Sequence, residues 1–576
     1  MTPHEPPLMP VPEPAVVIVA IGQCGITVAH DFYSRMADPH NHPRFFTRGE
    51  QTRPAPAPSR KRSQTAPPLH GQHQQLDSSL PTGPAIQAQQ QDHTRSFREL
   101  TRAERDARIR AAVQTTTGTM SSSSNPPLAA APNNDGMSNG PWFPRCVLLD
   151  AEPKVIRSVL DCGGPMVPSP PSPAAATARA AGRKRAWRYH PKCAHWRAAG
   201  AANNWAYGYH RHGASMYALV ARGVRAQVNL AREQNSTGVA GGTGGLAGIV
   251  VMHSVAGGTG SGLGTYITER LRAEYPDATI VNQVVWPFAR GEVVVQNLNL
   301  VLTMARLLRA SSLILVFFND HLQRICTDRL GLPSASFADL NGVLATLLYQ
   351  LLLPARSTTG VSRPATLGDM AAALRSPPPP GGTGPTFAPI ATAYYVPQVP
   401  ATAAAFTPVT VSWAAALRPL APMVLGNLPT DEGLDWRLVS GAADAHSVGA
   451  AVLLLREACE WRRTERRAAE SDARAAAIAD PKMYSHSTAR LTVWTGGAAS
   501  ELAGEVDKWA AIVCTTTAIK ATLTAALQSS VNMIRSGAFL HQYMQYGMQA
   551  EDFQQAIATV YTGAVHNSML VSIPSS

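Results

Sequence analysis

Ile249-Val250-Val251-Met252-His253-Ser254-Val255-Ala256-Gly257-Gly258-Thr259-Gly260-Ser261-Gly262-Leu263-Gly264 decides how the rest of the chain is read. It starts as a short apolar run, the pattern of a buried strand. It then breaks into a loop with four glycines in six residues, Gly257 to Gly262. Thr265-Tyr266-Ile267-Thr268-Glu269-Arg270-Leu271 follows with helical apolar spacing. Strand, glycine loop and helix form the layout in which backbone N–H groups and a helix N-terminus surround a phosphate. Glycines let the backbone approach a ligand where a Cβ would collide. Thr259 and Ser261 add hydroxyl donors.

The loop fits neither common phosphate fingerprint. A Walker loop ends in Lys-Ser/Thr, and Gly262-Leu263 stands here instead. Counting G-x-G-x-x-G from Gly258 puts Leu263 in the place of the third glycine. A flexible surface linker is the plain alternative, and the strand and helix that flank the loop tightly count against it.

A chain of 576 residues has room for two or three domains. Pro and Gly are abundant but unevenly placed, so disorder is expected locally rather than throughout. The net charge of +12 fits an acidic partner. Many of the cations lie in low-complexity segments, and no basic helix with interleaved aromatics occurs, which argues against nucleic acid. Cys24, Cys146, Cys162, Cys193, Cys326, Cys459 and Cys514 form no C-x-x-C pair. That pattern speaks against a zinc ribbon or a secreted disulfide framework and for a reducing compartment. No signal peptide or transmembrane run is expected, so the expected location is the cytoplasm, with no membrane partner.

Along the chain, strands and helices alternate. Ala15 to Ile21 reads as a strand closed by Gly22-Gln23-Cys24-Gly25, with a helix from Ile26 to Met36. Order returns at Arg145, and an apolar strand ends in Asp150-Ala151-Glu152-Pro153. Carboxylates at a strand end suit Mg²⁺, directly or through water; a helix cap is an equal alternative for either alone. Gly200 to Gly208 is a polar turn entering an aromatic segment. Further strands are expected at 278–286 and 312–318, and helices at 293–309 and 336–353. The alternation predicts an α/β fold with a parallel sheet and helices on both faces.

Domain organisation follows: a flexible N-terminus (1–14), a nucleotide-binding domain (15–335), a central core helix (336–353), an intermediate α+β domain (354–510), C-terminal helices (511–562) and a short non-acidic tail (563–576). Disordered insertions are expected at 47–140, 163–185 and 233–248, with a Pro-rich one at about 375–390. A charged helix is conceivable within 96–113, and 457–478 reads as a charged helix or another insertion. Strands are expected at 392–396, 409–413 and 491–494.

Together these pieces resemble a tubulin. Gly257-Gly258-Thr259-Gly260-Ser261-Gly262 is similar to the family's signature loop, which holds GTP phosphates without a Walker lysine. Gly22-Gln23-Cys24-Gly25, Asp150-Ala151-Glu152-Pro153 and Ala202-Asn203-Asn204-Trp205-Ala206 resemble its first three nucleotide loops. Phe337-Ala338-Asp339-Leu340-Asn341 resembles the start of its core helix, and Ala538 to Tyr543 the turn between its last helices. Asn203 to Tyr209, Val285 to Phe288, Gly291 to Asn297 and Asp150 to Ile156 resemble the δ-tubulins. Those proteins are associated with centrioles, basal bodies and triplet microtubules.

The resemblance implies a Rossmann-like GTPase domain with GTP or GDP and Mg²⁺. It implies partners among other tubulins, microtubules and centriole or basal-body components. Gln23 and Cys24 would lie beside the nucleotide, Gly257 to Gly262 around its phosphates, and Asn203 would donate to phosphate. Glu152, with Asp150, would face Mg²⁺. Glu292 would hold the ribose, Asn319 and Asn341 would read the guanine edge, and Phe337 would stack on the base. A helix cap is the default for either Asn alone. Asp369 is the one carboxylate in the segment where α-tubulin-like subunits carry a catalytic acid, and a solvated helix-start Asp is the plainer reading. Ile26-Thr27, Ala202 and Gln296 depart from the family pattern, as does the end Val571 to Ser576, which is not Glu-rich. The competing readings are a nucleotide-bound scaffold without turnover and a dinucleotide-dependent enzyme.

Overall fold

The computed structural model describes residues 14–36, 39, 42, 44–48, 142–162, 166–167, 184–235, 246–291, 293–357, 364–375, 387–395, 412–427, 446–457, 490–497 and 508–566. Six strands open the sheet: Ala15–Ile21 (β1), Cys146–Asp150 (β2), Ala194–Trp196 (β3), Leu246–Ser254 (β4), Ile280–Trp286 (β5) and Leu313–Phe318 (β6). All five pairings are parallel, in the order β3-β2-β1-β4-β5-β6. This is a doubly wound sheet, in which strand order reverses between β1 and β4.

The strands are apolar on both faces because helices cover both. In β1, Val16, Ile18 and Ala20 face one core, while Val17, Val19 and Ile21 face the other. This follows from the period-two alternation of a strand. Gly22–Ser34 (α1) and Pro153–Cys162 (α2) pack on the first side, and Gly213–Asn235 (α3) and Gly264–Glu274 (α4) on the second. Gln296–Ala310 (α5) covers β5 and β6, and Asn319–Arg324 (α6) follows β6 directly.

Phe337–Leu352 (α7) is the central helix. Ser336 and Asp339 form its capping box, and nearly every side chain from Leu340 onward is buried. Its far end is held by Arg456, which is fully buried. The guanidinium donates to the carbonyls of Gln350 (2.6 Å), Leu353 (2.8 Å) and Pro354 (3.0 Å). Those carbonyls at or just past the helix end need outside donors.

Beyond α7 the sheet continues through Arg356–Ser357 (β7), Ile390–Tyr395 (β8), Val448–Glu457 (β9), Arg490–Gly497 (β10) and Lys508–Thr516 (β11). Their order from β6 is β8-β11-β9-β10-β7. β8 is parallel to β6 and β10 to β9; the other pairings are antiparallel. Trp413–Leu417 (α9) and Leu420–Gly426 (α10) lie in this half, Leu367–Ala373 (α8) sets Leu367 beside Gly248 of β4, and Ala518–Arg535 (α11), Leu540–Met544 (α12), Ala550–Val560 (α13) and a last helical turn, Tyr561–His566, close the described chain.

Several expected boundaries move. Phe46–Arg48 pairs with Trp142–Pro144, and Met166–Val167 with Lys184–Arg185, so regular structure reaches into the ends of two expected insertions. α3 runs to Asn235 and β4 begins at Leu246, which shortens the expected Gly-rich spacer. Gly248 reads as loop by composition, yet pairing with Val16 makes it part of the strand. Ser412 caps α9 instead of ending a strand; 409–411 lie outside the described residues. The expected C-terminal helices begin at Ala518, because Trp509 to Cys514 is a strand buried on both faces. A short continuous apolar run does not distinguish strand from helix. Phe387 to Pro389 lead into β8, and structure continues to His566. The segments 96–113 and 458–489 lie outside the described residues.

Arg456→Met is expected to cost about 3–5 kcal/mol, since it strands buried carbonyls. Urea unfolding followed by circular dichroism reads this as a lower midpoint; an unchanged midpoint would show that the helix end does not depend on Arg456.

Candidate functional site

A cavity of about 540 Å³ opens at the carboxyl ends of β1, β2, β4, β5 and β6. Its lining includes Gln23, Cys24, Asp150, Glu152, Asn203, Gly257, Gly258, Thr259, Gly260, Asn319, Phe337 and Asn341. The topology brings them together, because β1 and β4 are adjacent where the strand order reverses and the loops after them diverge to leave a crevice. Glu292 lies outside the described residues.

Two turns fit against each other at the centre. Gly22 begins α1 at φ +71°, and a Cβ there would sit 3.2 Å from the Gly260 nitrogen. The signature loop turns straight into helix: the Ser261 N–H donates to the Gly257 carbonyl at 3.2 Å, and the Ser261 hydroxyl donates to the same oxygen. Ser261 is fully buried and Gly262 packs under the Trp205 carbonyl, where a Cβ would lie 2.1 Å from the oxygen. Both therefore shape the loop from behind, while Gly257, Gly258, Thr259 and Gly260 form the wall.

Asn299, which sequence reasoning passed over, organises this side. Its side chain is fully buried. The amide nitrogen donates to the carbonyls of Asn203 and Ala256, both at 2.7 Å. The oxygen accepts from the Trp205 N–H (3.1 Å) and the Tyr543 hydroxyl (2.7 Å). One amide thus ties the Asn203 turn, the start of the glycine loop and α12. Asn203 and Ala202 sit at φ +54° and +47°, a region that disfavours side chains. Asn204 turns inward, donating to the Gln542 carbonyl at 3.0 Å. The Asn203 side chain remains beside Gly257, 3.6 Å from where a Cβ would stand.

The two carboxylates differ. Asp150 is 5% exposed, and burial is the main cause that pushes it up to about 6; the backbone N–H groups of Glu152 and Ala151 oppose the rise, and the neighbouring Glu152 adds to it. Glu152 is exposed and lies against the Gly200 backbone. A buried carboxylate raised by desolvation, beside a second one, is a fitting donor pair for Mg²⁺, which takes one or two carboxylates plus phosphate oxygens. Burial pushes the Cys24 thiol up to about 12, so it stays neutral.

At the other end Phe288 and Phe337 meet with ring centroids 6.0 Å apart, and Phe337 is 51% exposed. Asn341 is 9% exposed. Neither Asn319 nor Asn341 caps its helix: Ser336 caps α7, and α6 has no side-chain cap. Both line the cavity. Gln296 lines the wall and donates to the Phe288 carbonyl at 3.1 Å. Asp369 lies apart from the cavity. One carboxylate oxygen accepts from the Thr366 N–H (2.7 Å) and hydroxyl (2.8 Å) in a capping box at the start of α8.

A family model matches this chain, and so do, among other relatives, three proteins named as tubulin delta chains. The family model described as "Tubulin/FtsZ family, GTPase domain" matches residues 132–327. A protein of Mus musculus named "Tubulin delta chain" is 30% identical over 430 residues, covering 73% of this chain and 85% of its own length. Proteins of the same name from Canis lupus familiaris and Homo sapiens are 29% and 28% identical, covering 72% and 73% of this chain and 84% and 86% of their own lengths.

Two outcomes follow from this geometry. Asn299→Leu leaves its four hydrogen-bonding partners without it and is expected to cost about 3 kcal/mol. Faster amide exchange in 256–262 would accompany the loss, and unchanged exchange would contradict the assignment. For Asp150, the folded value is raised above the unfolded one. Its contribution is therefore present below about pH 4 and is lost as pH rises through about 6. Asp150→Asn in nucleotide-stripped protein is expected to stabilise by up to about 3 kcal/mol at pH 7.5 and by little at pH 4. A gain of equal size at both, measured by thermal unfolding, would contradict the burial of this charge.

Proposed function

The chain belongs to the tubulin family, and from that premise we propose that it binds GTP or GDP across the carboxyl ends of β1, β2, β4, β5 and β6 and acts as a cytoskeletal subunit. The observation that carries this reading is the pair of Asn319 and Asn341, which line the cavity at helix starts they do not cap. An amide presents both donors and an acceptor, the complement of a guanine edge. Phe337 stacks on the base from the mouth of the cavity. Gln23, Cys24, Asn203 and the backbone from Gly257 to Gly260 surround the phosphates.

Asp150 and Glu152 would hold a Mg²⁺, which would supply charge neutralisation at the phosphates. The protein's own part is to fix the phosphate chain on backbone N–H groups and to keep the base between Phe337 and the two amides. Hydrolysis is slow or waits for a partner subunit. Asp369 stands outside this cavity, where the family presents an acid to the next subunit's nucleotide. Its engagement with Thr366 weighs against a free catalytic role. The assembly partners are other tubulins or microtubules. The δ-like segments support a place at centrioles and basal bodies, in triplet microtubules.

Denaturing extraction of the purified protein is expected to release about one guanine nucleotide per chain, and Asn341→Ala to lower guanine affinity by about tenfold or more. Extraction of an adenine or nicotinamide nucleotide, or of none, would overturn the reading.

A further inference from the structure

Lys154 is the one lysine or arginine among the side chains that line the cavity. Among the described residues no carboxylate pairs with it. It is the second residue of α2, a helix with no acidic side chain in its first turn. The N-terminus of a helix carries partial positive charge and repels a cation. Lys154 therefore occupies a place that the helix itself disfavours, and an anion in the cavity reverses the sign.

The topology says which anion. Lys154 follows β2, Asn319 follows β6, and the glycine loop follows β4 between them. Strands lie about 4.8 Å apart, so the ends of β2 and β6, four spacings apart, are separated by about 19 Å. A nucleotide with its base at Asn319 and its phosphates on the glycine loop extends its terminal phosphate toward Lys154. That end also carries Asp150 and Glu152, two negative charges that a polyphosphate must approach. The signature loop lacks a lysine of its own.

We infer that Lys154 is a specificity-determining residue of this site: its ammonium contacts the terminal phosphate and favours the triphosphate over the diphosphate. The inference rests on the nucleotide reading above and adds to it a cation from the neighbouring strand's loop. An exposed ammonium is free to reach the phosphate without rearranging the core.

The test is equilibrium binding of GTP, GDP and guanosine, with Mg²⁺ present, to the full chain stripped of nucleotide. Lys154→Gln is expected to weaken GTP by about tenfold and GDP by about twofold, and to leave guanosine unchanged. Lys154→Arg is expected to stay within about threefold of the unsubstituted chain for GTP. Equal GTP affinity in Lys154→Gln overturns the inference, as does a uniform loss across all three ligands. Binding of GTP by the unsubstituted chain that survives Lys154→Gln intact leaves the nucleotide reading standing. Absence of any guanine-nucleotide binding brings both down.

Discussion

The hydrogen-bonding capacity of one buried amide governs the glycine-loop side of the cavity. Asn299 has two N–H donors and two acceptor positions, and all four are used. A carboxylate of the same shape could not donate, and an apolar side chain could neither donate nor accept. The cost of leaving buried backbone groups without partners makes the arrangement all-or-none. Through this residue α5 holds the Asn203 turn, the entrance to the glycine loop and Tyr543 of α12 in one register. The last described helices thereby support a loop far earlier in the chain.

Sheet topology supplies the remaining constraint. Parallel strands send all their carboxyl ends to one edge, and the reversal of strand order between β1 and β4 separates the loops that follow them. The cavity lies where that separation falls. Its two ends differ in chemistry because different strands feed them. β2 brings Asp150, Glu152 and Lys154, whereas β6 and α7 bring Asn319, Phe337 and Asn341. Arg456 sets the position of α7 from its far end, so a residue of β9 contributes to where Asn341 and Phe337 stand.

Much of this was legible in the residues. The alternating strands and helices gave the α/β class, and the long apolar run from Ser336 marked α7. The glycine loop and the acidic strand end of β2 each carry a short-range signature. β9 and β11 were not legible, because a strand buried on both faces by a mixed sheet has no alternation to read. Lys154 carried no signal beyond its place in the segment Asp150 to Ile156, and no local spacing marks Asn299 within α5.

The sequence by itself determined the elements whose signals are local: turn glycines, caps, apolar runs and the order of the nucleotide-type motifs. Only the tertiary structure decided which side chains share the cavity. It also separated Ser261 and Gly262, which build the loop from behind, from Gly257 to Gly260, which face the opening. The physical reason is that facing and burial depend on neighbours brought from distant strands, and no spacing along the chain records them.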